Sequence, residues 1–403
     1  MRTSNFAQKG MLYKIKTVTI SLIMSVFAFN GSIFETNAGE TQFNFGGIIK
    51  VNAALASKGI NGIDDASGTY NADLLFANEN KGTRFGINAK ETRLYAGIRR
   101  NETPLGPIKA YVEGNFGVES NADGNTVEAY GTSNTRFVLR HAYVEFGRFL
   151  IGQTVSTFID SKSFLDILDY GGNSATTYAR QPQVRYSAKF NSFSLRMAVE
   201  NPTSNLGEYD VTDDQRMPDF VGRIDLDPSW GHLSIAGIIR ELRIDTTEFE
   251  AHQLTGGFIV TAHKEIIKGK LEVVIQYLRG GIGHYGAFSA FADGAVLEDD
   301  KGRKYIDPLN IQGATVGGTV HITDKLRSTV VASWAKNLDT GLNQQTLRTN
   351  HAIEKVKSFH VNIFYDVIED FMIGLEYKKL IGELSDGIKP NVDRLQFSMI
   401  YGF

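Results

Sequence analysis

The chain has 403 residues, 42% of them hydrophobic and 22% charged, with a formal net charge of −3. It has no cysteine, which excludes disulfides and thiolate metal sites, and its slight acidity argues against a nucleic-acid partner. Gly 41, Tyr 16 and Phe 26 against Pro 8 and Trp 2 suit a long β-protein with many turns.

The first element is an address. Lys14 and Lys16 precede the apolar run TVTISLIMSVFAF (17–29), and Thr36 and Ala38 stand where a signal peptidase cuts before Gly39. Residues 1–38 therefore read as an export signal, with 39–403 as one exported domain. The run is short for a membrane span and is interrupted by Ser and Thr. Met11 competes with Met1 as the start, because MLYKIK opens a more usual basic region. Removing the leader takes four basic residues and one acidic one, which moves the net charge to −6.

No later stretch reaches the ~18 apolar residues that a membrane helix needs. Extended segments of about ten residues recur instead, the length of a membrane-crossing strand. Sixteen are expected: 43–56, 83–100, 107–119, 135–147, 149–157, 182–190, 193–201, 218–227, 232–244, 250–265, 269–282, 310–322, 326–337, 356–367, 371–382 and 392–403. Many alternate, as in KSFHVNIFYDV (357–367), where Phe359, Val361, Ile363 and Tyr365 share one face. The chain ends RLQFSMIYGF: Leu395, Phe397, Met399, Tyr401 and Phe403 share a face, and Ile400 is the one apolar residue on the other.

The connections alternate between short and long. NETPLG, FGR, FNS, DPSWG, IIKG, TD and IED are short; 57–82, 120–134, 158–181, 202–217, 283–309 and 338–355 are long, and those near 245–249 and 383–391 are middling. Sorting turns to opposite ends of a meander is the plan of an antiparallel outer-membrane β-barrel, with short periplasmic turns and long extracellular loops. Sixteen strands enclose a water channel. The last strand must be complete to its end so that it can pair with the first. Tyr401 and Phe403 are then expected to face lipid at the periplasmic rim. Partners in that setting are outer-membrane lipid and lipopolysaccharide, and small anionic solutes inside.

Charge in the lumen is the chemistry expected of such a channel. The densest basic cluster is early: Lys50, Lys90, Arg93, Arg99, Arg136, Arg140, Arg148, Arg180 and Arg185, with Arg223 and Arg240 on strands eight and nine. With Phe85, Ile87, Leu94 and Ile98 outward, one bulge near Glu91–Thr92 turns Asn88, Lys90, Arg93, Tyr95 and Arg99 inward. Arg140 and His141 straddle a phase change between Leu139 and Ala142, and either can face in. A charge facing lipid at mid-depth costs about 2–4 kcal/mol, which favours inward placement. The competing reading has these arginines pairing with nearby carboxylates or lipid headgroups. The loop FIDSKSFLDILDYGGNSATTYARQ is partly apolar, and is expected to fold into the lumen as a constriction, setting Asp160, Asp166 and Asp169 opposite the arginines. A surface flap or a subunit contact is its alternative.

No GxSxG, HExxH, P-loop or complete calcium-loop pattern occurs, so neither an enzyme nor a cofactor is expected. EDDKG (298–302) lacks the spacing of a metal loop, and His351 and His360 read as loop or wall residues. A lipase- or protease-like barrel would need a nucleophile, base and orienting group at one depth. A non-conducting adhesin or surface receptor is the alternative function that the long loops permit.

At LRHAYVEFGRFLIGQTVSTFID (139–160), RFGINAKETRLYAGI (84–98) and RQPQVRYS (180–187), the chain resembles the DcaP-like porins. The resemblance implies a sixteen-stranded trimeric outer-membrane porin for organic anions, with dicarboxylic acids as the substrate class. It carries Arg93, Arg140, Arg148, Arg180 and Arg185 over as lumen residues. It also implies that the carboxyl-terminal aromatic is a signal for the barrel assembly machinery. The N-terminal coiled coil of some relatives is not expected here.

Overall fold

Each alternating segment has two backbone edges to satisfy, and its neighbours satisfy both. The computed structural model describes residues 36–38, 41–57, 59–60, 77–78, 82–118, 135–206, 216–286, 291–338, 353–385 and 387–403. The sixteen strands are β1 Thr41–Ala56, β2 Arg84–Asn88 continued as Arg93–Arg100, β3 Ile108–Val118, β4 Thr135–Phe146, β5 Phe149–Val155, β6 Arg180–Lys189, β7 Phe193–Glu200, β8 Asp219–Leu226, β9 His232–Asp245, β10 Glu250–Ile267, β11 Leu271–Gly280, β12 Ile311–His321, β13 Leu326–Asn337, β14 Ile353–Ile368, β15 Phe371–Leu384 and β16 Asn391–Gly402. Consecutive strands pair antiparallel throughout.

Closure is the decisive pairing. β16 pairs with β1, Gly402 opposite Ile48 and Arg394 opposite Ala56. Phe403 completes the seam: Gly47 N donates to its carbonyl at 3.0 Å, and its own N–H donates to Gly47 O at 3.1 Å. The sheet therefore has no edge. The expected break in β2 is present, with residues 89–92 outside the ladder. Thr36–Ala38 pairs with the start of β1, and a small hairpin, Gly294–Glu298 with Lys304–Pro308, lies within the loop after β11. The two-residue turns after β4 and β14 need left-handed backbone, supplied by Gly147 (φ 55°) and Asp370 (φ 66°).

The alternation sorts as an inverted protein. Phe43, Phe45, Ile49 and Leu55 of β1, and Leu395, Phe397, Met399 and Tyr401 of β16, are exposed on the outer wall. The residues between them on β16, Arg394, Gln396 and Ser398, are buried inside. An apolar outer face against lipid and a polar inner face is the barrel's thermodynamic requirement. Among the described residues no helix is long and apolar enough to cross a membrane; the strands do so.

The lumen is not uniformly wet. Ile238, Ile259, Leu278, Ile311, Val356 and Leu380 face inward yet are buried in one apolar cluster with Phe158, Ile159 and Ala175 from the loop 156–179. That loop leaves the wall early because β5 has only 7 residues. Ile400 belongs to the same logic: only 3% exposed, it packs with Leu168 of the loop and Phe364. Glycines make room for the leucines. A Cβ at Gly317 would lie 2.5 Å from Leu165 Cδ1, and one at Gly374 would lie 3.0 Å from both Leu168 methyls.

Candidate permeation site

The loop 156–179 crosses the barrel interior and is clipped to the far wall by its own polar groups. Thr261 Oγ1 (β10) donates to Asp160 Oδ2 at 2.8 Å, and His232 Nε2 (β9) lies 3.1 Å from the same oxygen. Arg327 Nε (β13) donates to Asp166 Oδ2 at 2.6 Å. Lys378 Nζ (β15) and Arg394 Nη1 (β16) reach Asp169 Oδ2 at 2.6 and 3.2 Å. Backbone groups are claimed as well: Leu168 N donates to Glu376 Oε2 at 2.7 Å, and Ser174 N donates to Ser333 and Ser358. The loop folds inward, but Asp166 and Asp169 do not face the arginines named above, and of those arginines only Arg223 acts on Asp160. The three aspartates are buried against a second basic set, Arg327, Lys378, Arg394 and His232, because an isolated buried carboxylate has to be paired. Burial alone would raise the Asp169 carboxyl; Arg394 and Lys378 overcome it and hold it well below the usual range. His232 and Ser163 do the same for Asp160.

With β8–β16 filled, the basic groups left facing the interior are on β2–β7. In β4, Arg140 is the extra residue of a bulge: Glu113 pairs with His141 and Gly114 with Leu139. Both Arg140 and His141 are consequently buried on the inner side, which resolves the phase change. Arg140 Nε donates to Glu113 Oε1 at 2.8 Å, and its Nη2 donates to Tyr178 Oη at 3.2 Å. Arg180 Nε donates to the same phenol oxygen at 2.9 Å, with its guanidinium 4.8 Å from the ring centroid. Arg93 stacks 4.5 Å from the Tyr170 ring, and its Nε is buried with no hydrogen-bond partner among the described residues. Arg185 donates to Thr157 Oγ1, Gln183 Oε1 and Val155 O. Among the described residues no carboxylate is within ion-pairing distance of Arg93, Arg180 or Arg185.

The result, among the described residues, is a cluster of three guanidiniums of which only Arg140 is ion-paired. Burial pushes the Tyr178 phenol up, yet Arg140, Arg180 and Arg93 outweigh it and leave it below its ordinary value. Towards the short-turn end the wall continues as tyrosines: Tyr95 stacks on Tyr111 at 5.8 Å, and Tyr111 meets Tyr143 at 5.6 Å. Lys109 lies over both Tyr111 and Tyr143.

Several expected pore residues lie elsewhere. Lys50 is inward but 0% exposed: its Nζ sits 2.6 Å from Glu91 Oε2 and 3.2 Å from the Tyr170 ring centroid, so Glu91 in the break of β2 neutralises it and the loop covers it. Arg240 is equally sealed, with Nη1 on Asp293 Oδ1 at 2.6 Å and Tyr285 beside it. Both face inward as read, but packed loops stand between them and solvent. Arg223 pairs with Asp225 and donates to the loop carbonyl of Ile159. Arg148 is not in the lumen: it is exposed in the turn after β4 and donates to Tyr186 Oη, which projects from the outer wall. Arg99 is exposed at the short-turn rim on Asn101. Lys90 lies in the break of β2, its N–H on Asn88 Oδ1. The Arg136 side chain and His351 lie outside the described residues. His360 is a wall residue on Glu376 and Ser358, and Asp299 of EDDKG pairs with Arg303.

Sequence reasoning missed Arg196, Arg327, Lys378 and Arg394. All four sit at inward positions of alternating strands, so the strand register was the signal available. Asp160, Asp225 and His232 bring potential ligand atoms within 4.8 Å of one another, but Arg196 and Arg223 already occupy Asp225.

Solved structures with the same architecture are outer-membrane proteins. The outer membrane channel DcaP of Acinetobacter baumannii superposes with a TM-score of 0.76 at 20% identity, covering 92% of this chain and all of the other. OmpT of Vibrio cholerae gives 0.58 at 12% identity over 92% of this chain and 99% of the other. Pseudomonas putida OprB gives 0.56 at 10% identity over 90% and 94%. At these identities the likeness shows the fold. No curated protein matches the chain in sequence. The profile described as DcaP outer membrane protein matches residues 28–403. With that match and a closed barrel of the same design, the chain belongs to the DcaP family of outer-membrane channel proteins and resides in the outer membrane.

Proposed function

We propose that the protein is a passive, anion-preferring porin for small organic anions, dicarboxylates in particular, and not an enzyme. The observation that carries this reading is the Arg93–Arg140–Arg180 group: among the described residues only Arg140 of the three has a carboxylate within ion-pairing distance, Glu113, and Arg93 Nε is buried without a hydrogen-bond partner. Guanidinium binds carboxylate bidentately, and low-dielectric walls focus the field of the excess charge onto the pore. Arg185, without an ion-paired carboxylate among the described residues, lies further along the same wall as a second station for the other end of a dicarboxylate. The far wall contributes little net charge, because its lysine and arginines are matched by loop aspartates and Glu376.

Within this reading residues 1–38 are a removed export signal, the seam residues Tyr401 and Phe403 are recognised by the barrel assembly machinery, and three copies form a trimer flanked by lipopolysaccharide. The OmpT structures of Vibrio cholerae, which include a trimer form, support the assembly by analogy. The test is ionic current through the purified protein in a planar bilayer as succinate is added. Concentration-dependent interruption is expected. Current indifferent to succinate would overturn the dicarboxylate assignment, and absence of any current would favour the adhesin or receptor alternative.

A further inference from the structure

We infer that Tyr178 is a built-in occupant of the anion position: its hydroxyl sits where a solute carboxylate oxygen binds, and an anion passes by displacing it. The inference rests on the permeation reading above and names a specificity-determining residue for it.

The phenol oxygen accepts from Arg140 Nη2 and Arg180 Nε together, at 3.2 and 2.9 Å. Two guanidiniums converging on one oxygen is the arrangement a carboxylate would draw. The ring is held for the purpose. Arg180 covers one face of it, Phe164 packs beside it at 6.0 Å between centroids, and Tyr178 N donates to Tyr285 O at 3.2 Å. The loop is anchored through its backbone on both sides of this point, by Ser174 N on Ser333 and Ser358 and by Tyr178 N on Tyr285 O, so displacing the hydroxyl takes a side-chain rotation and leaves the loop clipped.

A neutral hydroxyl is a weak substitute for an anion. A carboxylate brings a full charge and two acceptor oxygens, and charge-assisted bonds are roughly twice as strong as neutral ones. The exchange favours the solute, yet the guanidiniums are not stranded without an acceptor once the solute leaves, which would cost the full penalty of an unmade buried bond. A channel needs binding strong enough to admit a solute and weak enough to release it. Tyr178 lowers the depth of the well by refilling it. The three cations that face Tyr178 from β2, β4 and β6, opposed by Glu113 on β3, are the same ones that depress its phenol.

The experiment compares the full-length protein with Y178F in planar bilayers, with succinate as the probe. Without the hydroxyl to displace, Y178F is expected to need about three- to tenfold less succinate to halve the current, and to show longer blocked intervals. Y178L removes the same oxygen and is expected to shift in the same direction. Unchanged or weaker block in Y178F and Y178L, in a protein that is itself anion-selective and blocked by succinate, overturns this inference and leaves the porin assignment standing. A parent protein that shows neither anion selectivity nor succinate block overturns both.

Discussion

Asp169→Asn tests how the loop is held inside the barrel. Asp169 is 1% exposed and takes Lys378 Nζ at 2.6 Å and Arg394 Nη1 at 3.2 Å, on partners that are themselves 2% and 1% exposed. Its other carboxylate oxygen accepts from Gly171 N at 2.8 Å. Neutralising it leaves two buried cations with one carboxylate fewer, and breaking a buried pair from one side costs about 3–5 kcal/mol. The loop has independent anchors: Leu168, fully buried, contributes about 1.5–3 kcal/mol, and Asp166–Arg327 and Asp160–Thr261 remain intact. The expected result is a loop that stays inside with its 168–172 segment loosened. Single-channel recordings should show greater open-channel noise and a modest rise in conductance, while the barrel still resists heat on a folding gel. Replacing Lys378 by Met in the same chain should recover part of the loss, because the stranded cation is gone. Conductance and noise indistinguishable from the parent's would refute the argument that this carboxylate holds the loop.

Three further outcomes follow from the same geometry. Gly317→Val places a side chain against Leu165, whose methyl already lies 2.5 Å from the position of a Cβ. It should cost about 1–3 kcal/mol and displace the loop, read as increased conductance. Asp160 and Asp169 are both held below their ordinary range, so their contribution to docking is complete above the unfolded carboxylate value of about 3.9 and is lost only as pH falls through the depressed folded values. Conductance should be constant from pH 7 to about 4.5 by this linkage; opening between pH 7 and 5 would contradict it. Arg148→Gln, at the short-turn rim on Tyr186, should leave ion selectivity unchanged in the same recordings.

The wall was legible because lipid on one side enforces period two. All sixteen strands were found within about three residues of their observed ends, and the break at Glu91–Thr92 and the phase change at Arg140 were visible as lapses in that period. The content of the lumen was not, because an inward position specifies only that a residue escapes lipid. Whether it then meets water, a loop or a counter-ion is decided by contacts far apart in sequence. Lys50 and Leu168 are 118 residues apart and bonded at 2.6 Å. Lys50 and Arg240 therefore read as pore residues when loops seal them, and Asp169 read as a pore acid when Lys378 and Arg394 consume it. Ile400 carried the missing information: an apolar residue on the inner face of a barrel strand marks where something apolar docks, and Leu168 docks there. Arg148 failed for a local reason, since at a two-residue turn the strand alternation no longer dictates direction.

On the proposed function, Arg93, Arg140 and Arg180 give the open part of the lumen an excess of positive charge. The most direct test is the reversal potential of the purified protein in a planar bilayer across a potassium chloride gradient, before and after all three are replaced by Gln. Preference for chloride is expected in the parent, and near-equal permeability in the triple variant. Cation preference in the parent, or anion preference that survives the three substitutions, would contradict it.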